Sequence, residues 1–187
     1  ERLLENAEQN TGELLIRLKA QEHSKTIELE CEKDRQSKKA SRLYTEEEIN
    51  RILGVGWWRA IPRFVIEQMV DKFRCIDDGA AGEQNEESSA PEKLVLPASS
   101  FPGQASALIV EGAEQNDIDL AHEGQSIETG KDDWPAAFRH MPTDPKEQPL
   151  YVVAFKTEEG QIRFQLMWGA LMGLLGVVFV FCRHPLL

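Results

Sequence analysis

The chain has 187 residues, 41% of them hydrophobic and 28% charged, with a net charge of −11. That length has room for one domain of ordinary size, and the composition excludes both a wholly disordered and a wholly membrane-embedded chain. The charge is unevenly placed: residues 77–133 hold fourteen of the 32 acids but only two of the 21 bases, Lys93 and Lys131, which leaves the rest near neutral. This excludes a uniformly acidic globular enzyme, and also a nucleic-acid binder working through overall basicity, whose affinity would rest on neutralised phosphates.

The chain starts at Glu1 without Met, which reads as a processed or excised piece of a longer product, and no secretory signal is visible near that end. Residues 1–42 contain no proline, one glycine and many Glu, Lys, Arg, Gln and Leu, so a charged helical arm is predicted. Leu14, Leu15 and Leu18 make a short apolar stripe, but no heptad is sustained. The pairs Glu32 with Arg35 and Asp34 with Lys38 have the spacing of exposed ion pairs on a solvated stalk. Cys31, Cys75 and Cys182 are odd in number, widely spaced and without a CxxC pair, which fits a reducing compartment better than a disulfide framework or a zinc site.

Residues 43–76 read as a small helical hairpin. Thr45, followed by Glu46, Glu47 and Glu48, has the form of a capping box, and Gly54-Val55-Gly56 ends that helix. A second helix is predicted from Pro62, with Phe64, Val65, Met69 and Phe73 at helical spacing. The paired tryptophans Trp57 and Trp58, with Arg59 and Phe64, are the candidate partner-binding residues, since such side chains anchor interfaces. A DNA-binding helix-turn-helix is disfavoured because residues 41–76 carry six bases against five acids, with no clustered basic face. Trp57 and Trp58 beside Arg59 and Arg63 also suit an interfacial membrane helix.

Residues 77–149 hold seven of the nine prolines and read as an acidic disordered linker. Two apolar islands interrupt it, Leu94-Val95-Leu96 and Ala107-Leu108-Ile109-Val110, each a candidate for adding a strand to a partner's sheet. Asp117, Asp119, His122 and Glu123 lack a calcium-loop spacing, so no metal or other cofactor is expected.

Near the C-terminus, residues 150–163 predict a short membrane-proximal β-hairpin turning at Thr157-Glu158-Glu159-Gly160. Residues 164–182, FQLMWGALMGLLGVVFVFC, carry no charge and reach the length of a transmembrane helix, with 183–187 as a short tail. Gly169, Gly173 and Gly176 share a face of that helix and are the candidate membrane-packing residues. Against the span stands the strict alternation from Gln161 to Leu166; if the hairpin extends that far, the remaining helix is too short to cross and covers a small sheet instead.

The fold class expected is mainly α: helical arm, helical hairpin, disordered acidic linker, β-hairpin and a C-terminal transmembrane helix. The expected function is that of a tail-anchored, single-pass membrane adaptor with no enzymatic activity. Its helical module would recruit a protein partner, a second copy of the chain included, with the N-terminal portion cytoplasmic. No HExxH, GxSxG, GxxxxGK or GxGxxG motif is present, and no small-molecule substrate is indicated. The alternatives are a structural subunit of a membrane complex and a fragment of a larger soluble protein with its last helix buried.

Overall fold

The computed structural model describes residues 2–86, 100–120 and 137–183. The chain forms two units: Glu1–Pro91 together with Ala136–Leu187, and Glu92–Pro135. The first unit is built on five strands, β1 (Ala40–Tyr44), β2 (Ala60–Met69), β3 (Lys72–Asp77), β4 (Val152–Lys156) and β5 (Ile162–Met167). Their order is β1-β5-β4-β2-β3, with β2 and β4 parallel and the other neighbours antiparallel. Its helices are α1 (Arg2–Glu5), α2 (Ala7–Arg17), α3 (Ser24–Gln36), α4 (Glu46–Leu53) and, at the end of the chain, α6 (Leu175–Arg183); α5 (Phe101–Gln115) belongs to the second unit.

Successive strand residues point to opposite faces, and this parity divides the core. Val152 and Ala154 of β4, with Phe164 and Leu166 of β5, meet Leu14 of α2, Ile49 of α4 and Trp58. Val153 and Met167 on the other face meet Leu171, Leu174 and Val177, while Phe155 packs on Ile27 and Cys31 of α3. The arm predicted as a solvated stalk is thus folded into both faces, α2 on one and α3 on the other. The chain crosses between them beside β4, where the Gln21 amide donates to the Lys156 carbonyl. The buried face of α3 recurs at helical spacing as Ser24, Ile27, Cys31 and Asp34. Half of those residues are polar, which is why no apolar stripe advertises it.

The fold is mixed α/β, and the disordered linker expected over 77–149 is corrected where it is described, by α5 and by short 3-10 turns at Ala137–His140 and Pro145–Leu150; the mainly helical expectation is corrected at two further places. The first is residues 60–77, where a hairpin of β2 and β3 replaces the second helix. Phe64, Val65, Met69 and Phe73 satisfy a helical period by spacing alone. As strands, the same residues pair across the β2–β3 hairpin, and the start of β2, Ala60 to Pro62, pairs with β4 some ninety positions away, which local propensity cannot register. Pro62 falls where pairing with β4 ends and pairing with β3 begins, so the amide it lacks is not missed in either ladder. Asp71 takes a φ of 59° in the turn, a conformation that Asp tolerates better than most residues.

The second correction is the apolar C-terminal run. Its first residues finish β5, paired from Val152↔Leu166 to Lys156↔Ile162, and the turn at Thr157–Gly160 closes with Gly160 at φ 81°. Trp168 to Leu174 form a loop, and only nine residues remain in α6. Nine residues rise about 14 Å, against the roughly 30 Å of a hydrocarbon core. No helix among the described residues is long and apolar enough to cross a membrane. The tail anchor, the single-pass topology and the membrane localisation are therefore withdrawn. The hydrophobicity of the run has another cause: its residues cover a sheet buried on both faces.

The capped helix is where it was expected. Glu48 N donates to Thr45 Oγ1 at 3.4 Å and Thr45 N to Glu48 Oε2 at 2.9 Å, closing the capping box of α4, and Gly54 at φ 94° ends it. The Leu94–Leu96 island, His122 and Glu123 lie outside the described residues.

Candidate functional site

The four residues predicted to bind a partner do not form one surface. Trp58 is buried, donates through Nε1 to Asn50 Oδ1 at 2.7 Å and meets Phe164 edge to face at 5.3 Å, so it is core. Arg59 is also buried, donating to the Leu3 carbonyl at 3.2 Å and to the Glu83 carboxylate, which ties α1 and the segment after β3 to β2. Phe64 is half-buried on β2, paired with Ile76 of β3. Trp57 alone stands out, 65% exposed.

The three glycines have no shared helix. Gly169 and Gly173 lie in the loop after β5, where each permits a close backbone approach. A methyl group on Gly169 would overlap the Arg139 carbonyl, and one on Gly173, which has a φ of 128°, would overlap the Asp77 carbonyl. Gly176 is the second residue of α6, and a methyl group there would meet open space. Spacing that suggested helix–helix packing instead seats the loop against the two chain segments that flank the second unit.

Those segments are joined by a buried ionic clasp. Arg63 donates to both oxygens of Asp77, Nε to Oδ1 at 2.6 Å and Nη2 to Oδ2 at 3.1 Å, and Arg139 Nη2 donates to Asp77 Oδ2 at 2.7 Å. Asp34 balances the charge from α3, its Oδ2 lying 3.8 Å from Arg63 Nη1 and 3.7 Å from Arg139 Nε. Instead of pairing with Lys38 in solvent, Asp34 has turned inward. Burial would raise the Asp77 pKa, but Arg63 and Arg139 more than offset it and hold the carboxyl below its usual range. The Asp34 carboxyl has no hydrogen-bond donor on its buried Oδ2, and burial pushes it up. Asp77 precedes residues 92–135 in sequence and Arg139 follows them, so the clasp joins the two segments of the first unit to each other.

This cluster offers little chemistry. Arg63 Nη1 donates to Cys31 Sγ at 3.3 Å, yet burial raises the Cys31 thiol and pushes Cys75 up to about 11. Both are protonated near neutral pH and make weak nucleophiles. Among the described residues no group of three or more His, Cys, Asp or Glu side chains is placed to hold a metal ion.

The second unit, taken by itself, supplies a different kind of site. Its Ala107–Val110 island, expected as a strand-like segment, is the middle of α5, opened by Pro102 at its start. Phe101, Leu108, Ile109 and Val110 are all exposed, three of them by more than half. From Ser100 to Leu120 the sequence has four acids, Glu111, Glu114, Asp117 and Asp119, and no base. A helix of this length is marginal alone, Gly103 and Gly112 weaken it by about 1 kcal/mol each, and its acids stand at the negative end of the dipole. Four large apolar side chains on such a helix are better accounted for by a partner than by self-sufficiency.

No family model matches this chain, and no curated protein or solved structure matches it either.

Proposed function

We propose that the chain is a non-enzymatic protein-recognition module, in which the α/β unit is a platform and α5 is the helix it displays. The partner offers an apolar groove for Leu108, Ile109 and their neighbours, bordered by Lys or Arg where the acidic end of α5 lies. The observation that carries this reading is the exposure of Phe101, Leu108, Ile109 and Val110 on a helix whose only charges are negative. Helix-in-groove recognition uses such anchors, and cations on the partner would relieve the acids crowding the negative helix end.

The test is a photo-crosslinking aromatic residue at Phe101 in the full chain, expressed in its native host. A discrete adduct is expected, lost with Leu108→Asp and reduced by Glu111→Lys with Glu114→Lys. Burying one Leu is worth about 2 kcal/mol, so Leu108→Asp should weaken binding at least roughly thirtyfold. No adduct, or the same adduct from a probe at Ile16 on the far more exposed side of α2, would refute the proposal.

A further inference from the structure

A cleft of about 390 Å³ lies in the first unit beside α6, independent of α5. Its walls are mainly apolar: Leu150, Tyr151, Ala170, Leu174, Val177 and Val180. Ala170, Leu174 and Val177 are anchored in the core that covers the sheet, so this wall is preformed and does not depend on a ligand. Ligand sites run from about 300 to 1,000 Å³ and combine apolar walls with a few polar groups, and this cleft falls within that range.

Its described charged lining is of one sign. Among the described residues, Asp144 and Glu147 are the only ionisable acids or bases lining it apart from the Tyr151 phenol, and no described Lys, Arg or His lines it. Lys146 lies between them in sequence but is exposed and outside the lining. The two carboxylates sit on one short turn, where the Glu147 amide donates to the Asp144 carbonyl at 2.9 Å and Asp144 Oδ1 accepts from the Lys146 amide at 2.9 Å. That turn leads directly to Tyr151, whose phenol is raised by burial and then by the Glu147 carboxylate, and so remains a neutral donor.

We propose that this cleft binds a small amphiphile with an ammonium head and an aliphatic body. The body occupies the wall formed by Leu174, Val177 and Val180, and the head meets Asp144 and Glu147. At about 30 Å³ per water-sized volume, the cleft takes roughly a dozen heavy atoms, the size of a ten-carbon amine.

The probes are decylammonium and decanoate, equal in body and opposite in charge, titrated into the full chain and followed at the methyl NMR signals of Leu174, Val177 and Val180. Decylammonium is expected to give saturable shifts and to bind about tenfold tighter than decanoate. Glu147→Gln with Asp144→Asn should remove most of that preference, and Asn keeps the acceptor that caps the turn. Val180→Trp, at a half-exposed position, should block both probes while the unfolding midpoint stays in place. Equal binding of the two probes, or no saturable binding of decylammonium, would overturn the assignment.

Discussion

Replacing Asp77 by Asn tests the clasp. Asp77 is 5% exposed and accepts three hydrogen bonds from two guanidinium groups, while the Arg63 side chain is fully buried. Removing one charge of a buried pair leaves its partner without compensation and costs about 3–5 kcal/mol. Domains of this kind are stable by about 5–15 kcal/mol, so the loss is a large share of the total. With a urea dependence near 2 kcal/mol per M, the unfolding midpoint should fall by about 2 M. Asp34 is the internal control: it carries the same charge in the same network, but its nearest guanidinium nitrogens are at 3.7 and 3.8 Å and burial already disfavours its ionised form. Asp34→Asn should change stability by about 1 kcal/mol or less. The pH dependence separates the two as well. The folded pKa of Asp77 lies below its unfolded value near 4, so its contribution is present above about pH 4 and is lost as pH falls through the folded value. Asp34, raised in the folded state, acts in the opposite sense, and stability falls as pH rises from about 4 through its folded pKa. Equal losses for the two variants, or a loss under about 1 kcal/mol for Asp77→Asn, would refute the clasp.

Other substitutions probe the packing through the same urea transition. Gly173→Ala and Gly169→Ala should each cost roughly 2 kcal/mol or more through backbone overlap, whereas Gly176→Ala should be neutral or stabilise α6 by up to about 1 kcal/mol; three equal effects would contradict the loop packing. Trp58→Ala should cost about 3–5 kcal/mol and Trp57→Ala under about 0.5, an ordering that reverses if Trp57 is the buried one. Thr45→Ala should cost about 1 kcal/mol through loss of the capping box, with Thr45→Ser close to the parent.

What could be read from the sequence was local. The capping box at Thr45 and Glu48 and the hairpin turn ending at Gly160 depend on residues within four positions of each other, and both are in place. Where a residue's role depends on distant chain, the reading fails. Phe64 and Val65 satisfy a helical period until the start of β2, Ala60 to Pro62, is known to pair with β4 and the rest of it with β3. Gly169 and Gly173 resemble a helix-packing motif because their spacing says nothing of Arg139 and Asp77, the segments they admit. Alternation from Gln161 to Leu166 did identify β5, but the apolar residues after it outweighed that signal, since length and hydropathy alone cannot tell a membrane span from a strand and helix covering a doubly buried sheet. Of the expected partner-binding residues only Trp57 is prominently exposed. The displayed helix was visible as an apolar island among acids, with its strand preference misjudged from Leu108, Ile109 and Val110.

The central claim is that the apolar side chains of α5 serve a partner and not the fold. Urea unfolding of the full chain carrying Leu108→Asp with Ile109→Asp measures this without any partner. Side chains 67% and 52% exposed should leave the midpoint unchanged, within about 0.5 kcal/mol. A loss of 2 kcal/mol or more would place these residues in a core and contradict the account.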